Sequence, residues 1–502
     1  MKIPRILLAA GASGSGKTLI TCGLLQALVN RNLKTASFKC GPDYIDPMFH
    51  SRVIGAKSRN LDTFFTGEAV TRYLLGSNAA DCDIAVMEGV MGYYDGLGGT
   101  TSRASAYDLA VTTDTPVILI VNSRGMSVSL AAYVKGFLDY KENSHIAGVI
   151  FNQMSPMLYP RMKELVEREL GIQVFGYVPK AEDCVIESRH LGLVLPEEIP
   201  ELKERLMKLA GILEKTLEVD AIIRLANAAP ELNVSSCSAN VVSDSDVEMQ
   251  KGNVTTEYGE NSAETMAWKN VGRQYLRKLD TVYSFRLPKP VRVAVAKDEA
   301  FCFFYEDNFR LLQEMGAELV PFSPIHDKEF PENVDGLLLY GGYPELNGKA
   351  LEDNFFMRQT VKQKISEGLP CMAECGGFMY LHEEMEDMDG TVRQMAGVIP
   401  GKVYRTDRLN RFGYTILKQK QAVFGEAALG EIPAHEFHYF DSENCGTAFE
   451  AQKPLSNRSW DCIHGNNRML TGFPHLHYYG NPRVARAFLN QCLEYKKERE
   501  KE

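Results

Sequence analysis

Two short stretches of this 502-residue chain hold residues whose types and spacing can do chemistry. Near the start, Gly11-Ala-Ser-Gly14-Ser15-Gly16-Lys17-Thr18 fits the pattern G-x-x-x-x-G-K-[ST]. In such a loop the glycines let backbone N–H groups turn toward phosphate oxygens, and the helix that follows adds partial positive charge. Lys17 is placed to reach the β- and γ-phosphates of ATP, and the Thr18 hydroxyl to ligate Mg²⁺. Gly11, Gly14, Ser15, Gly16, Lys17 and Thr18 are therefore the expected ATP-binding residues. The second stretch is Leu369-Pro-Cys-Met-Ala-Glu374-Cys375-Gly376-Gly377-Phe378, read as a buried strand, a sharp turn and a helix. A cysteine on that turn presents its sulfur, and the helix start favours the thiolate. The amide of Gly376, the residue after the nucleophile, is placed to donate to an oxyanion, and Gly342 in Gly341-Gly342-Tyr-Pro-Glu345 to supply a second donor.

Each stretch needs partners. Glu88 closes the run Asp83-Ile-Ala-Val-Met-Glu88, where a carboxylate at a strand end can serve a metal beside the phosphate loop. Asp43 and Asp46 in Gly41-Pro-Asp43-Tyr44-Ile-Asp46-Pro follow another strand, and Asp95 lies in Tyr94-Asp95-Gly96. Thr18, Asp43 and Glu88 are the expected metal ligands. Glu88 and Asp95 are expected in sheet-edge loops rather than in a core. For a base to serve Cys375, two histidine clusters are available, Pro474-His475-Leu-His477 and Ala434-His435-Glu-Phe-His438, and spacing alone does not choose between them.

The elements that must position these residues follow from the apolar pattern. Short β-branched runs at Ile3–Ala10, Lys34–Lys39, Asp83–Glu88, Val117–Asn122 and Ile146–Asn152 alternate with helical segments such as Lys17–Asn30 and Ser127–Tyr140. This alternation predicts βαβ units and a parallel sheet, with ligands beyond the carboxyl ends of its strands. From about Pro230 to Met266 the pattern fades into small and acidic polar residues, the composition of a mobile linker or insertion. Order resumes with strands at Val291–Ala296, Val334–Tyr340 and Leu369–Glu374, and helices at Asp307–Met315, Phe355–Glu367 and Pro482–Tyr495, a second α/β unit.

Composition excludes several classes. A net charge of −10 argues against nonspecific nucleic-acid binding, which needs a basic surface. The 11 cysteines lack the paired spacing of a structural zinc site. No apolar run approaches the length of a membrane span, and no secretory leader is evident, so a soluble cytoplasmic protein is expected.

Taken together the motifs resemble one family, the cobyrinic acid a,c-diamide synthases. The resemblance rests on Ser13-Gly-Ser-Gly-Lys-Thr18, Phe38-Lys-Cys-Gly-Pro-Asp-Tyr-Ile-Asp-Pro47, Met87-Glu-Gly-Val-Met-Gly-Tyr-Tyr-Asp-Gly96 and Glu187-Ser-Arg-His-Leu-Gly-Leu193. Asp298-Glu-Ala-Phe301, Gly341-Gly-Tyr-Pro-Glu345, Glu374-Cys-Gly-Gly377 and His435-Glu-Phe-His-Tyr439 complete it. It implies an α/β chain with a dethiobiotin-synthetase-like P-loop domain and a triad-class glutamine amidotransferase domain. The expected divisions are an ATP-dependent amide-ligase domain at 1–200, a linker or insertion with helical and disordered parts at 201–289, the amidotransferase domain at 290–490 and a charged tail at 491–502. It implies a carbon–nitrogen ligase acting on cobyrinate with ATP and L-glutamine, with Mg²⁺, and a homodimer is the expected assembly. Cys375 is then the glutaminase nucleophile. His475 matches the position of the base best; His477 stands where many relatives of the wider class carry Glu, and both remain candidates. Asp43, Tyr44, Asp95 and Arg189 are expected at the substrate, with Arg52, Arg59 and His190 as further cations for a polycarboxylate. Hydrogenobyrinate, Ni-sirohydrochlorin or cobyric acid synthesis are alternatives within the same chemistry. A ParA-type nucleotide switch and a glutamine-sensing scaffold are alternatives outside it.

Overall fold

The computed structural model describes residues 1–180, 184, 188–189, 192–193, 202–233, 276 and 280–501. Most of the expected 230–266 insertion, and His190, lie outside the described residues. The chain divides into two compact units, Met1–Leu279 and Asp280–Glu502.

The first unit is built on seven strands: β1 (Arg5–Ala10), β2 (Thr35–Cys40), β3 (Lys57–Leu61), β4 (Ile84–Glu88), β5 (Val117–Asn122), β6 (Ile146–Asn152) and β7 (Gln173–Val178). They pair in the order β3-β2-β4-β1-β5-β6-β7, every pair parallel. β1 and β2 are buried along their whole length, as strands covered on both faces by helices must be. β1 lies between β4 and β5, where the chain passes from one half of the sheet to the other, and its carboxyl end opens into the phosphate loop. Helix Lys17–Asn30 follows that loop and is covered by helix Leu202–Thr216, which buries Leu206, Leu209 and Leu213. Arg31 at the end of the first helix pairs with Glu214 at 2.6 Å. The early part of the expected linker is thus a structural layer of this unit. A two-residue hairpin, β8 (Ser188–Arg189) and β9 (Gly192–Leu193), completes its strands.

The second unit has two sheets. Strands β10 (Val291–Ala296), β11 (Ala317–Phe322), β12 (Gly336–Leu339) and β13 (Cys371–Glu374) belong to the first. β14 (His382–Glu386), β15 (Val392–Gln394), β16 (Ile399–Gln419), β17 (Ile432–Ser442), β18 (Phe449–Gln452) and β19 (Ser459–Cys462) follow, then β20 (His464–Gly465), β21 (Met469–Gly472) and β22 (His475–Leu476). The order β11-β10-β12-β13-β21-β20 is parallel except at its β20 edge. The other sheet runs β15-β14-β16-β17-β22, with β18 and β19 attached to β16. Phe301, Leu337, Leu339, Phe378 and Tyr380 are wholly buried in the core between the sheets and helices. Helix Pro482–Arg499 carries the expected tail into its last turns, where Arg499 pairs with buried Asp335 at 2.7 Å.

Candidate functional site

The phosphate loop joins the end of β1 to helix Lys17–Asn30. Gly14 and Gly16 have φ of 75° and 92°, a left-handed backbone that a side chain disfavours. Space makes the same demand at Gly16: an added Cβ would lie 2.3 Å from Asn152 Nδ2. That amide donates to the Ser15 carbonyl at 2.8 Å, so Asn152 at the end of β6 pins the loop. Lys17 Nζ donates to the carbonyls of Ala12 (3.1 Å) and Met91 (2.5 Å). Burial and the neighbouring Lys39 lower its pKa to about 8, although Glu88, Asp95 and Asp46 oppose the shift.

Behind the loop lies a compact charge cluster. Thr18 Oγ1 donates to Glu88 Oε1 at 2.5 Å and lies 3.4 Å from Asp46 Oδ2. Lys39 Nζ donates to Glu88 Oε1 at 2.7 Å and to Asp46. His50 Nε2 is 3.5 Å from Glu88 Oε2. Burial works against charge on Glu88, but Lys39 and His50 outweigh it and hold the carboxylate ionised. Burial, reinforced by Asp43, pushes Asp46 the other way.

The expected acids are therefore sorted by geometry. Asp43 Oδ1 accepts from the amides of Ile45 (2.8 Å) and Asp46 (3.1 Å), so it shapes the turn, and Asp46 is the acid beside Thr18 and Glu88. Glu88 is 0% exposed, not in a loop outside the core, because the last residue of β4 still lies under the helix layer. Asp95 is exposed as expected and accepts from the Gly92 amide at 3.0 Å. Tyr44 is half-buried in the same turn as Asp43. The Arg189 side chain lies outside the described part of the structure. Lys39, His50 and Asn152 are additions to the expected site residues, and Asp46, a candidate acid without an expected role, takes the place beside Thr18 that was expected of Asp43. The available signal for Lys39 was a lysine inside an otherwise apolar strand.

The Glu88 carboxylate faces Thr18 and Lys39 with Oε1 and His50 with Oε2, and Asp46 Oδ2 lies beside Thr18. Thr18, Asp46 and Glu88 are hard oxygen donors, the set Mg²⁺ takes when phosphates and water supply the rest. The residues present fit that ion.

In the second unit Cys375 links β13 to the short helix Gly376–Tyr380 with φ 47° and ψ −104°, a strained backbone for a side chain. Two features hold it there. Its amide donates to the Gly472 carbonyl at 2.8 Å, and Gly377 packs so closely that a Cβ would lie 2.2 Å from the Leu339 carbonyl oxygen. A Cβ on Gly376 would be 3.1 Å from the Gly342 nitrogen, so the two expected oxyanion donors lie side by side. Gly376 opens the helix, so its amide has no acceptor within that helix.

His475 lies on β22, opposite His435 of β17. Burial disfavours its charge, but the Cys375 and Glu374 side chains outweigh burial and raise its pKa to about 9. Its Nδ1 is 3.7 Å from Glu374 Oε2. Glu374 is itself buried, accepts from the Leu476 amide at 3.3 Å, and has no hydrogen-bond partner for Oε1 among the described residues. His477 is turned elsewhere: its ring meets Tyr305 at 5.0 Å, its charged neighbours are Asp307 and Arg310, and burial lowers its pKa to about 4. His438 is held by Glu436 at 2.9 Å and stacks on Phe473. The structure thus brings together Cys375, His475, Gly342 and Gly376. It adds Glu374, whose signal was a charged residue ending an apolar strand.

Comparison with known proteins agrees with this division. Residues 6–193 match the CobQ/CobB/MinD/ParA nucleotide binding domain, and residues 292–481 the CobB/CobQ-like glutamine amidotransferase domain. A cobyrinate a,c-diamide synthase of Caldanaerobacter subterraneus subsp. tengcongensis is 33% identical over 497 residues, covering 98% of this chain and 99% of that relative. One of Clostridium acetobutylicum is 35% identical over 486 residues, covering 95% and 97%. Among solved structures, PurLQS from Thermotoga maritima aligns with 41% of this chain and 99% of its own at 15% identity and a TM-score of 0.30. Relatives of that identity, aligned from end to end with a chain that joins these two domains, place it: it belongs to the cobyrinate a,c-diamide synthase family.

Proposed function

We propose that the chain is a ligase that amidates the a and c carboxylates of cobyrinate in cobalamin biosynthesis, with ATP as the activating and L-glutamine as the nitrogen-donating substrate. The observation that carries this reading is the pairing of two complete sites in one chain, a phosphate loop backed by buried acids and a cysteine on a strained turn against a histidine. A nucleotide switch of the ParA type has no use for the second.

A carboxylate does not exchange oxygen for ammonia unaided, because its oxygen is a poor leaving group. The γ-phosphate of ATP is transferred to the carboxylate, and ammonia then displaces phosphate from the acyl phosphate. The loop amides of Gly11–Thr18 hold the phosphates, and Lys17 neutralises charge on the transferring group. Thr18, Asp46 and Glu88 would hold Mg²⁺, with Asp43 fixing the turn that presents Asp46. The ion supplies charge neutralisation at the phosphates. Lys39 keeps Glu88 ionised and in place. In the other unit the Cys375 thiolate attacks the side-chain amide carbon of glutamine. The Gly342 and Gly376 amides donate to the developing oxyanion, and His475 gives its proton to the leaving ammonia. Water, deprotonated by His475, then hydrolyses the glutamyl thioester. Glu374 holds His475 by its Nδ1 side, the place an acid two residues beyond the histidine would fill. The first unit is accordingly the amide-ligase domain and the second the glutaminase. A reducing, cytoplasmic setting agrees with the described cysteines, all of them free. Among the described residues no helix is long and apolar enough to cross a membrane.

Mass spectrometry of the corrinoid after incubation with ATP, Mg²⁺ and glutamine tests the reading. Mono- and diamide are expected, and a corrinoid left unchanged while glutamine is hydrolysed would refute it.

Two residue-level expectations follow. Glutaminase activity should fall as pH rises through about 9, where His475 loses its proton. Because the Glu374 carboxylate raises that pKa, Glu374→Gln should move the alkaline limb to lower pH. An unmoved limb removes Glu374 from the assembly. Glu88→Gln should lower both turnover and the melting midpoint, since it strips charge from a wholly buried pair with Lys39. Breaking such a pair costs roughly 3–5 kcal/mol. An unchanged thermal melt would show that the cluster does not hold the fold.

A further inference from the structure

Beside the phosphate loop, within the first unit, lies a cleft of about 810 Å³, most of whose lining has no role assigned above. Gly11 and Asp95 form its inner end. Tyr94, Tyr133, Phe137 and Tyr140 form one wall: Tyr94 stacks on Phe137 at 5.7 Å and 17°, and meets Tyr140 at 4.9 Å. Tyr140 is 66% exposed, a large ring surface left open to water. Two cations stand at the rim. Lys141 Nζ lies 5.2 Å from the Tyr140 ring centre. Arg103 is exposed, and among the described residues its guanidinium has no partner.

Three features show what this cleft faces. The Tyr133 hydroxyl lies over the first glycine of the loop, 1.8 Å from where a Cβ on Gly11 would be, and has no hydrogen-bond partner among the described residues. Lys17, the residue that reaches the β- and γ-phosphates, donates to the Met91 carbonyl, and Asp95 accepts from Gly92 one residue further on. The cleft, with Gly11 and Asp95 in its lining, therefore adjoins the phosphate loop beside the segment that Lys17 contacts. Third, the chain as a whole carries −10, so two cations with no ion-pair partner among the described residues, beside an aromatic wall, mark a place for an acidic ligand with a flat apolar face.

We propose that this cleft is the corrinoid subsite: the Tyr94–Tyr133–Phe137–Tyr140 wall lies against the conjugated macrocycle, and Arg103 and Lys141 take carboxylates that are not reacting. The proposal rests on the function proposed above and deepens it. An aromatic wall gains from a flat conjugated ring through apolar contact and stacking, and guanidinium forks match carboxylates in two-point contact. The cleft encloses only part of so large a molecule. That suits a substrate whose ring must offer two different acetates in turn to one phosphate site, because contacts to ring face and outlying carboxylates can be remade after rotation.

The test uses the full chain and the double variant Arg103→Gln/Lys141→Gln, with Tyr133→Phe as a second probe. Neither cation supports the fold through an ion pair among the described residues, so the variants should melt as wild type does. Steady-state rates are measured with cobyrinate, ATP and ammonium varied in turn. The KM for cobyrinate should rise by about tenfold or more in the double variant, the equivalent of one carboxylate contact. The KM for ATP and the glutaminase rate should stay unchanged, and Tyr133→Phe should show the same selectivity. An unchanged cobyrinate KM overturns the proposal. So does a rise in the KM for ATP alone, which would assign the wall to the adenine ring, or a changed sedimentation coefficient with unchanged kinetics, which would assign it to a second copy of the chain. Wild-type protein that amidates no corrinoid under any condition overturns the proposed function instead.

Discussion

Cys375→Ser loses glutamine-dependent amidation and regains it with ammonium. The hydroxyl of serine remains protonated at neutral pH and is a much weaker nucleophile than a thiolate paired with His475, so the glutamine-driven rate should drop by at least about 10³-fold. The turn itself should survive. Cys375 is 6% exposed, and its backbone is fixed by the bond to Gly472 and by the close packing of Gly377, neither of which involves sulfur. ATP activation of the carboxylate uses residues of the other unit. High ammonium at raised pH, where more of it is free ammonia, should therefore restore the diamide. His475→Ala should behave in the same way, whereas His477→Ala should not, because His477 faces Tyr305 and Asp307. Equal rates with glutamine and ammonium in Cys375→Ser would remove the nucleophile. Loss with both donors, together with a lowered melt, would make the cysteine structural.

Lys17→Ala gives the opposite pattern. The variant lacks the ammonium that compensates charge on the transferring phosphoryl group, a single preorganised contact worth roughly 10²–10³-fold in rate. Amidation should fail with glutamine and with ammonium alike, since neither donor can replace an acyl phosphate. Glutamine hydrolysis should persist, because Cys375, His475 and Glu374 are untouched. Steady-state assays of corrinoid product and of glutamate release, run on the same preparation, separate the two activities. Normal amidation by this variant would remove the phosphate loop from the reaction.

These two residues were the most legible in the sequence because each sits in a local motif. A strand, a turn of fixed length and a helix are specified by neighbours in the chain, and the helix at Lys17–Asn30 and the strands at Val117–Asn122, Ile146–Asn152 and Val291–Ala296 have the expected bounds. What was illegible depends on contacts between distant segments. Asp43 and Asp46 lie three residues apart in one turn, and only the folded turn shows that the first caps it while the second reaches Thr18. Lys39 and Glu374 are charges inside apolar strands, and their partners, Glu88 and His475, arrive from other strands. The long strand β16 was missed because its residues alternate irregularly between buried and exposed, with register shifts between Arg405 and Asn410 and between Asn410 and Gly413. The edge strand β3, Lys57-Ser-Arg-Asn-Leu61, is too polar to announce itself.

Coupling of the two chemistries in one chain is the central claim, and the fate of glutamine nitrogen tests it most directly. Glutamine carrying heavy nitrogen in its side-chain amide is supplied with ATP, Mg²⁺ and cobyrinate, and the corrinoid products are weighed by mass spectrometry. The account predicts label in each new amide of the wild-type product, and none in the product that Cys375→Ser makes from unlabelled ammonium in the presence of labelled glutamine. Amides formed by the wild type without label, or label that still enters the corrinoid through Cys375→Ser, would contradict it.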